Sequence, residues 1–239
     1  MFGWKAKTER EKQGLLFRSE LKHTINRSDY LALKQRLNAV AQRDTHAEDN
    51  GAYHIRSLYF DSPDDKALRE TLDGINQREK FRIRYYNWDP SYIRLEKKSK
   101  RNGVGNKQYA PMTQEQCEQL IAGEIGWMLD SRLPLLVELY GKIKFQQLRP
   151  RTIVDYTREA YLLPAGNVRV TLDSNIRTGL QSLDFFNPDL PTVPTGHPDK
   201  MILEVKFDDF LPEIMRDVVQ TKERRSAAFS KYAVCRMYA

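Results

Sequence analysis

Charged side chains recur at alternate positions along several short segments of this chain. The rows are Arg18, Glu20 and Lys22; Lys80, Arg82 and Arg84; Arg94, Glu96, Lys98 and Lys100; and Glu204 with Lys206. A two-residue interval is the side-chain period of a β-strand, so each row lies on one face of its strand. Arginine can donate two parallel hydrogen bonds to phosphate oxygens, and lysine adds a compact charge, so such rows suit a polyanion. Arg158 and Arg169 add to them from two further segments. Glu20, Glu96 and Glu204 are of the residue type that binds a divalent cation, which a phosphate site needs when metal accompanies the anion.

For any one strand the simpler reading is a solvated outer face, because charged residues are mostly exposed. The intervening positions weigh against that reading when taken together. They are largely apolar: Leu21, Phe81, Ile83, Ile93, Leu95, Val168, Val170, Leu203 and Val205. If these pack outward beneath helices, the ionic faces point into the lumen of a sheet closed on itself. A bound anion would then supply the countercharge, without which buried like charges repel.

The elements that would carry these rows can be placed from patterning. Strands are expected at Leu15–Ile25, Tyr53–Asp61, Lys80–Tyr86, Tyr92–Lys100, around Lys107 and Tyr109, and at Arg151–Arg158, Val168–Asp173 and Met201–Phe207. Hairpin turns fall at Asn87–Ser91 and at Arg101–Gly103. Asn26 or Ser28 caps a helix through about Arg43, with Tyr30, Leu33, Leu37 and Val40 at helical spacing. Helices follow up to about Leu72, between Thr113 and Leu148 with interruptions, after Pro212, and from Ser226 to Tyr238. The stretch 184–199 reads as a loop and as the least ordered internal segment. The order predicts an α+β domain over 15–239 with a mostly antiparallel sheet, preceded by an N-terminal arm over 1–14.

Bulk properties narrow the function classes. The 239 residues are 40% hydrophobic and 30% charged, with mean hydropathy −0.66, which excludes a disordered chain. No apolar run approaches the roughly 18 residues of a membrane span, and the start lacks a signal-type segment, so a cytoplasmic location is expected. Cys117 and Cys235 lie far apart and outside any CxxC pattern, which argues against a zinc site or a disulfide framework. His23, His46, His54 and His197 lack metal-ligand spacing, and no P-loop occurs. A net charge of +7 favours an anionic partner: nucleic acid, anionic membrane or a phosphorylated small molecule. Tyr85, Tyr86 and Trp88 beside basic residues would suit RNA, but no RNA-binding signature accompanies them, so nucleic acid is the weaker choice.

The segments RSELKH (18–23), SLYFDS (57–62), KFRIRYY (80–86), LEKKSK (95–100), DYTREAY (155–161), VRVTLD (168–173), LEVKF (203–207) and SKY (230–232), in this order, resemble the triphosphate tunnel metalloenzyme (CYTH-like) superfamily. The likeness is greatest to its polyphosphate-polymerase branch, typified by the catalytic domain of the vacuolar transporter chaperone complex. The resemblance implies an eight-stranded antiparallel β-barrel tunnel with helices packed outside. It also implies a triphosphate held by lumenal Arg and Lys, and Mg²⁺ or Mn²⁺ held by acids. By matching motif, Lys22, Arg82, Arg84, Lys98, Arg158, Arg169 and Lys231 resemble the phosphate ligands that act in catalysis. Arg18, Lys80, Lys100, Lys107, Lys206 and Ser230 complete the substrate-binding lining. Glu204 resembles the metal ligand, with Glu20 and Glu96 as its helpers or as residues that orient lysines. Arg18 stands where much of the superfamily has the first acid of ExExK, a departure shared with the polymerase branch. The implied activity is transfer of the γ-phosphoryl group of ATP to a growing polyphosphate chain. Hydrolysis of triphosphate or nucleoside triphosphate, and non-catalytic polyphosphate binding, are the alternatives. Export of product across a membrane would require a separate membrane protein as partner.

Overall fold

The computed structural model describes residues 19–45, 47–48, 50–101, 104–196, 200–221, 225–226 and 229–238. The strands are β1 (Ser19–Ile25), β2 (Gln42–Arg43), β3 (Ala52–Asp61), β4 (Arg78–Tyr86), β5 (Asp89–Arg101), β6 (Val104–Met112), β7 (Arg149–Leu163), β8 (Val168–Thr178), β9 (Val193–Pro194), β10 (Met201–Phe207) and β11 (Arg225–Ser226). The helices are α1 (Arg27–Val40), α2 (Lys66–Leu72), α3 (Gln114–Ala122), α4 (Pro134–Gln146), α5 (Glu213–Val218) and α6 (Lys231–Arg236). Among the described residues no helix is long and apolar enough to cross a membrane.

One antiparallel sheet runs β11-β1-β10-β8-β7-β3-β4-β5-β6, with β2 added on β7 and β9 on β8. Its eight long strands are those the alternating pattern predicts. Continuous closure is corrected: among the described residues no ladder joins β6 back to β1. Part of the outer edge of β1 is instead taken by β11, which pairs Ser226 with His23 and Arg225 with Thr24. The curled sheet brings its two sides together through side chains, with Lys98 Nζ of β5 lying 3.6 Å from Glu20 Oε2 of β1.

Alternation decides which face meets the helices. Leu58, Phe60, Phe81, Ile83, Tyr85, Ile93 and Leu95 face outward and pack with Cys117 and Leu120 of α3 and Leu136 and Leu139 of α4. On the other flank Val168, Val170, Leu172, Leu203 and Val205 pack with Tyr30, Leu33 and Leu37 of α1 and Met215 and Val218 of α5. Asn26 caps α1 by accepting from the Asp29 amide at 2.8 Å. Thr113 and Gln116 form a reciprocal capping box on α3. A third apolar cluster joins Ile55, Tyr59, Val154, Tyr156, Ile176 and Ile202 to Tyr232 and Cys235 of α6. The inward face is therefore partly packed core, filled by the C-terminal helix, rather than ionic along its whole length.

Four local expectations change. Helix α1 stops at Val40, three residues early, because Ala41 is extended and Gln42–Arg43 pair with Leu162 and Tyr161 of β7. The β4–β5 hairpin turns on Asn87 (φ 48°) and Trp88 (φ 58°), so β5 begins at Asp89. Asparagine tolerates that left-handed conformation; Trp88 is held in it by stacking on His54 at 4.0 Å and beneath the Arg56 guanidinium at 4.4 Å. The final helix starts at Lys231, where the Ser230 hydroxyl accepts from the Ala233 amide, rather than at Ser226. The 184–196 stretch is anchored, not loose: Phe185 is 1% exposed, and its carbonyl accepts from Arg56, whose guanidinium also forms a two-bond pair with Asp155 at 2.8 and 2.7 Å. Residues 197–199 lie outside the described residues, as do Arg18, His46 and the N-terminal arm.

Candidate active site

The inward rows meet in three ionic clusters. On β4, β5 and β6, Arg82 donates two hydrogen bonds to Glu96 Oε2, at 2.8 and 2.6 Å, and Lys107 donates to Glu96 Oε1 at 2.6 Å. Arg84 approaches the same carboxylate to 3.8 Å and donates to Ser57 and Tyr156 on the neighbouring strands β3 and β7. Register explains the convergence, because Arg82, Glu96 and Tyr109 are directly opposite partners, as are Lys80, Lys98 and Lys107. Burial alone would raise the Glu96 pKa, but Arg82, Arg84 and Lys107 hold its carboxyl well below the usual carboxylate range.

The second cluster spans β1 and β10, whose register pairs Lys22 with Glu204 and Glu20 with Lys206. Lys22 Nζ lies 2.9 Å from Glu20 and 3.7 Å from Glu204. Lys206 pairs with Glu204, and Lys98 reaches Glu20 from across the lumen. Burial disfavours the charged form of Glu204, but Lys206, Lys22 and Arg158 outweigh it and hold the acid ionised. Burial works against the Lys22 ammonium as well, and the two carboxylates more than offset it, so its pKa is raised.

The third cluster links β7, β8 and α6. Arg158 makes a two-bond pair with Asp173 at 2.6 and 2.8 Å, and Lys231 donates to the same carboxylate at 2.6 Å. Asp173 is wholly buried; desolvation would raise its pKa, yet Arg158 and Lys231 hold it at about 2. Helix α6 is clasped over this end by Tyr232, which donates to Asp61 at 2.5 Å and stacks on Tyr59. Lys80 donates to the Ser230 hydroxyl at 3.3 Å. Burial, then Arg78, Lys98 and Arg82, push the Lys80 ammonium down to about 7. Burial with Arg82 and Arg84 nearby lowers Lys107 to about 8, against the pull of Glu96.

Of the residues singled out in the sequence, Lys22, Arg82, Arg84, Lys98, Lys107, Arg158, Lys206 and Lys231 thus come together around the lumen, with Glu20, Glu96 and Glu204. Lys80 and Ser230 lie at the end covered by α6, and Lys100 is paired in register with Arg78. Arg169 sits apart, donating to Asp44 at 2.8 Å and the Tyr53 hydroxyl at 2.9 Å. Arg18 is outside the described residues. The three glutamates do not form one set. Glu20 and Glu204 share Lys22, whereas Glu96 belongs to the arginine cluster, and among the described residues no three acidic, His or Cys side chains gather as metal ligands. Asp173, Tyr156 and Asp61 were missed as site residues. The signal for Asp173 was present, since it continues the two-residue rhythm Arg169, Thr171, Asp173.

Basic groups outnumber acids in these clusters, and each acid fixes the position of at least two cations. An arrangement of that kind can grip a multiply charged anion with donors already aimed and partly desolvated.

Comparison with solved structures finds the same fold in a candidate adenylyl cyclase from Hippeastrum, described as having a dominant triphosphatase activity. It is 14% identical, covers 93% of this chain and 96% of its own, and superposes with a TM-score of 0.53. A Bacillus halodurans protein described as a candidate adenylate cyclase is 11% identical over 86% of this chain and 87% of its own, with a TM-score of 0.49. The search of curated proteins found no match. The VTC domain family model matches residues 17–238. With the match spanning nearly the whole sequence and the eight strands and their basic lining in place, this chain belongs to the VTC-domain family.

Proposed function

We propose that this protein is a divalent-metal-dependent phosphotransferase that passes the γ-phosphoryl group of ATP to the end of a growing polyphosphate chain inside the tunnel. The observation that carries the reading is the surplus of guanidinium and ammonium groups, from largely buried Arg158 and Lys231 to half-exposed Lys107, that separate strands and α6 direct toward one lumen. Phosphoryl transfer asks little covalent chemistry of a protein; it needs in-line alignment and neutralisation of charge on the transferred group and the leaving oxygen.

Arg82, Arg84 and Arg158 are suited to that task because Glu96 and Asp173 hold them in place before substrate arrives. A terminal phosphate oxygen of the chain attacks the γ-phosphorus, a new P–O–P link forms, and the bond to the β-phosphate oxygen breaks to release ADP. The acceptor is already anionic, so no protein nucleophile or general base is required. Glu204 and Glu20 are the pair that would hold Mg²⁺ or Mn²⁺. Two carboxylates meet the needs of an ion that takes its other ligands from phosphate and water. When bound, the ion would draw off charge from the phosphate oxygens.

The test is incubation with ATP and Mn²⁺ followed by separation of products by size. Long phosphate chains with ADP are expected. Release of orthophosphate alone would overturn the polymerase reading in favour of a triphosphatase, the activity for which the Hippeastrum protein is described.

A further inference from the structure

The inward face carries a second kind of surface that the phosphate chemistry does not use. Arg94 is on the charged face of β5, and its guanidinium carbon lies 4.3 Å from the ring centroid of Tyr92 and 4.7 Å from that of Tyr109. Tyr92 contacts Tyr86 (ring centroids 6.2 Å apart), and Tyr86 meets Tyr53 edge to face at 5.9 Å. The Tyr53 hydroxyl in turn accepts from Arg169. These contacts make a continuous aromatic and guanidinium arc across β6, β5, β4, β3 and β8, in which Tyr109 is level with Glu96 while Tyr86, Tyr92 and Arg94 lie beyond the Arg82–Glu96 rung on the side away from Lys80 and Ser230. Helix α6 covers the opposite end, through Tyr232 on Asp61 and Ser230 beside Lys80.

Two features of the arc point to a ligand. Tyr92 and Tyr109 remain 48% and 52% exposed, although Tyr53 at the other end of the arc is buried. Arg94, unlike Arg82, Arg84 and Arg158, has no carboxylate or other hydrogen-bond acceptor among the described residues, so its N–H donors are available. Phosphate gains nothing from an aromatic face. A planar heterocycle stacks on one, and its ring nitrogens accept from a guanidinium.

We infer that Tyr92, Tyr109 and Arg94 form a nucleobase subsite at the mouth of the tunnel, which seats the base of a nucleoside triphosphate while its phosphates extend inward to the ionic clusters. The inference rests on the proposed use of a nucleoside triphosphate and fixes its direction: base at the open mouth, γ-phosphate toward Lys231 and Lys80.

The test compares two ligands that differ only in the nucleoside. Affinities of the full chain with Mn²⁺ are measured by calorimetry for the β,γ-imido analogue of ATP and for inorganic triphosphate, in wild type, Y92A, Y109A and the Y92F and Y109F controls. Each alanine variant is expected to weaken the nucleotide about tenfold, the scale of one lost base stack, and to leave inorganic triphosphate within about twofold. The phenylalanine variants should retain nucleotide affinity. Parallel weakening of both ligands, or no change in either, overturns the subsite while leaving the phosphate tunnel intact. Failure of wild type to bind either ligand overturns the subsite and the proposed function together. Both tyrosines are half exposed, so the variants are expected to fold, and a melting curve for each checks this.

Discussion

At the scale of single residues, the buried acids act chiefly by organising bases. Asp173 holds Arg158 and Lys231 at once, so Asp173→Asn leaves two buried cations with a weakened partner and should cost about 3 to 5 kcal/mol in chemical denaturation. The pH dependence follows from a folded pKa of about 2 against an ordinary 3.8. The contribution of Asp173 is complete above the ordinary value and fades as pH falls through the folded one. The stability gap between wild type and Asp173→Asn should therefore narrow as pH is lowered from 4 toward 2. Glu204→Gln tests a different role. If Glu204 holds the catalytic metal, turnover should fall at least about a hundredfold while triphosphate binding changes far less; equal binding with and without metal in both proteins would instead mark a non-catalytic phosphate sensor. Lys80 and Lys107 add a third expectation. With pKa values near 7 and 8 they are largely or partly neutral at pH 8, and an incoming polyanion favours their charged forms. Triphosphate binding at pH 8 should thus take up protons, read as a dependence of the calorimetric heat on buffer ionisation enthalpy, and Lys80→Met should reduce the uptake.

At the scale of elements, α6 brings one cation to the lumen and covers one of its ends. Its six residues place Lys231 in the lumen, and the stack of Tyr232 on Tyr59 and its hydrogen bond to Asp61 hold the helix down. Tyr232→Phe keeps the ring and removes the charge-assisted bond, so a loss of about 1.5 to 3 kcal/mol is expected by urea denaturation. Turnover should drop with it if Lys231 has to stay seated. The strands were legible because alternation is a local property: the parity of Arg82 and Arg84 against Phe81 and Ile83 separates lumen from outer core without any knowledge of the fold. Element ends were less legible. The stop of α1 at Val40 depends on β7, a partner more than a hundred residues away, and the turn at Asn87–Trp88 depends on His54 and Arg56 packing against the indole. The 184–196 stretch looked loose because its anchor, Arg56 with Asp155, comes from two strands remote in sequence.

For the molecule as a whole, the excess of lumenal cations means that the empty tunnel opposes its own charge. Inorganic triphosphate at about a hundred times its dissociation constant should stabilise the fold by about 2.7 kcal/mol, which for a chain of this size raises the melting temperature by roughly 5 to 10 °C. High salt should shrink that gain, since the interaction is largely ionic. No shift at saturating triphosphate would contradict a polyanion tunnel. With β11 on part of the edge of β1, the two sides of the sheet are tied, among the described residues, by Lys98 and Glu20 rather than by a backbone ladder.

The sequence by itself determined the eight long strands, which of their faces carries the ionic rows, and that those rows are mainly basic, because each of these follows from residue type and a two-residue period. It also carried enough ordered motifs to indicate the family. Only the tertiary structure decided which charges meet: that Glu96 serves Arg82, Arg84 and Lys107 while Glu20 and Glu204 share Lys22, that Asp173 belongs to the lining, and that one end is filled by α6. Those facts depend on strand order, register and curl, which bring together side chains from opposite ends of the chain and which no local pattern encodes.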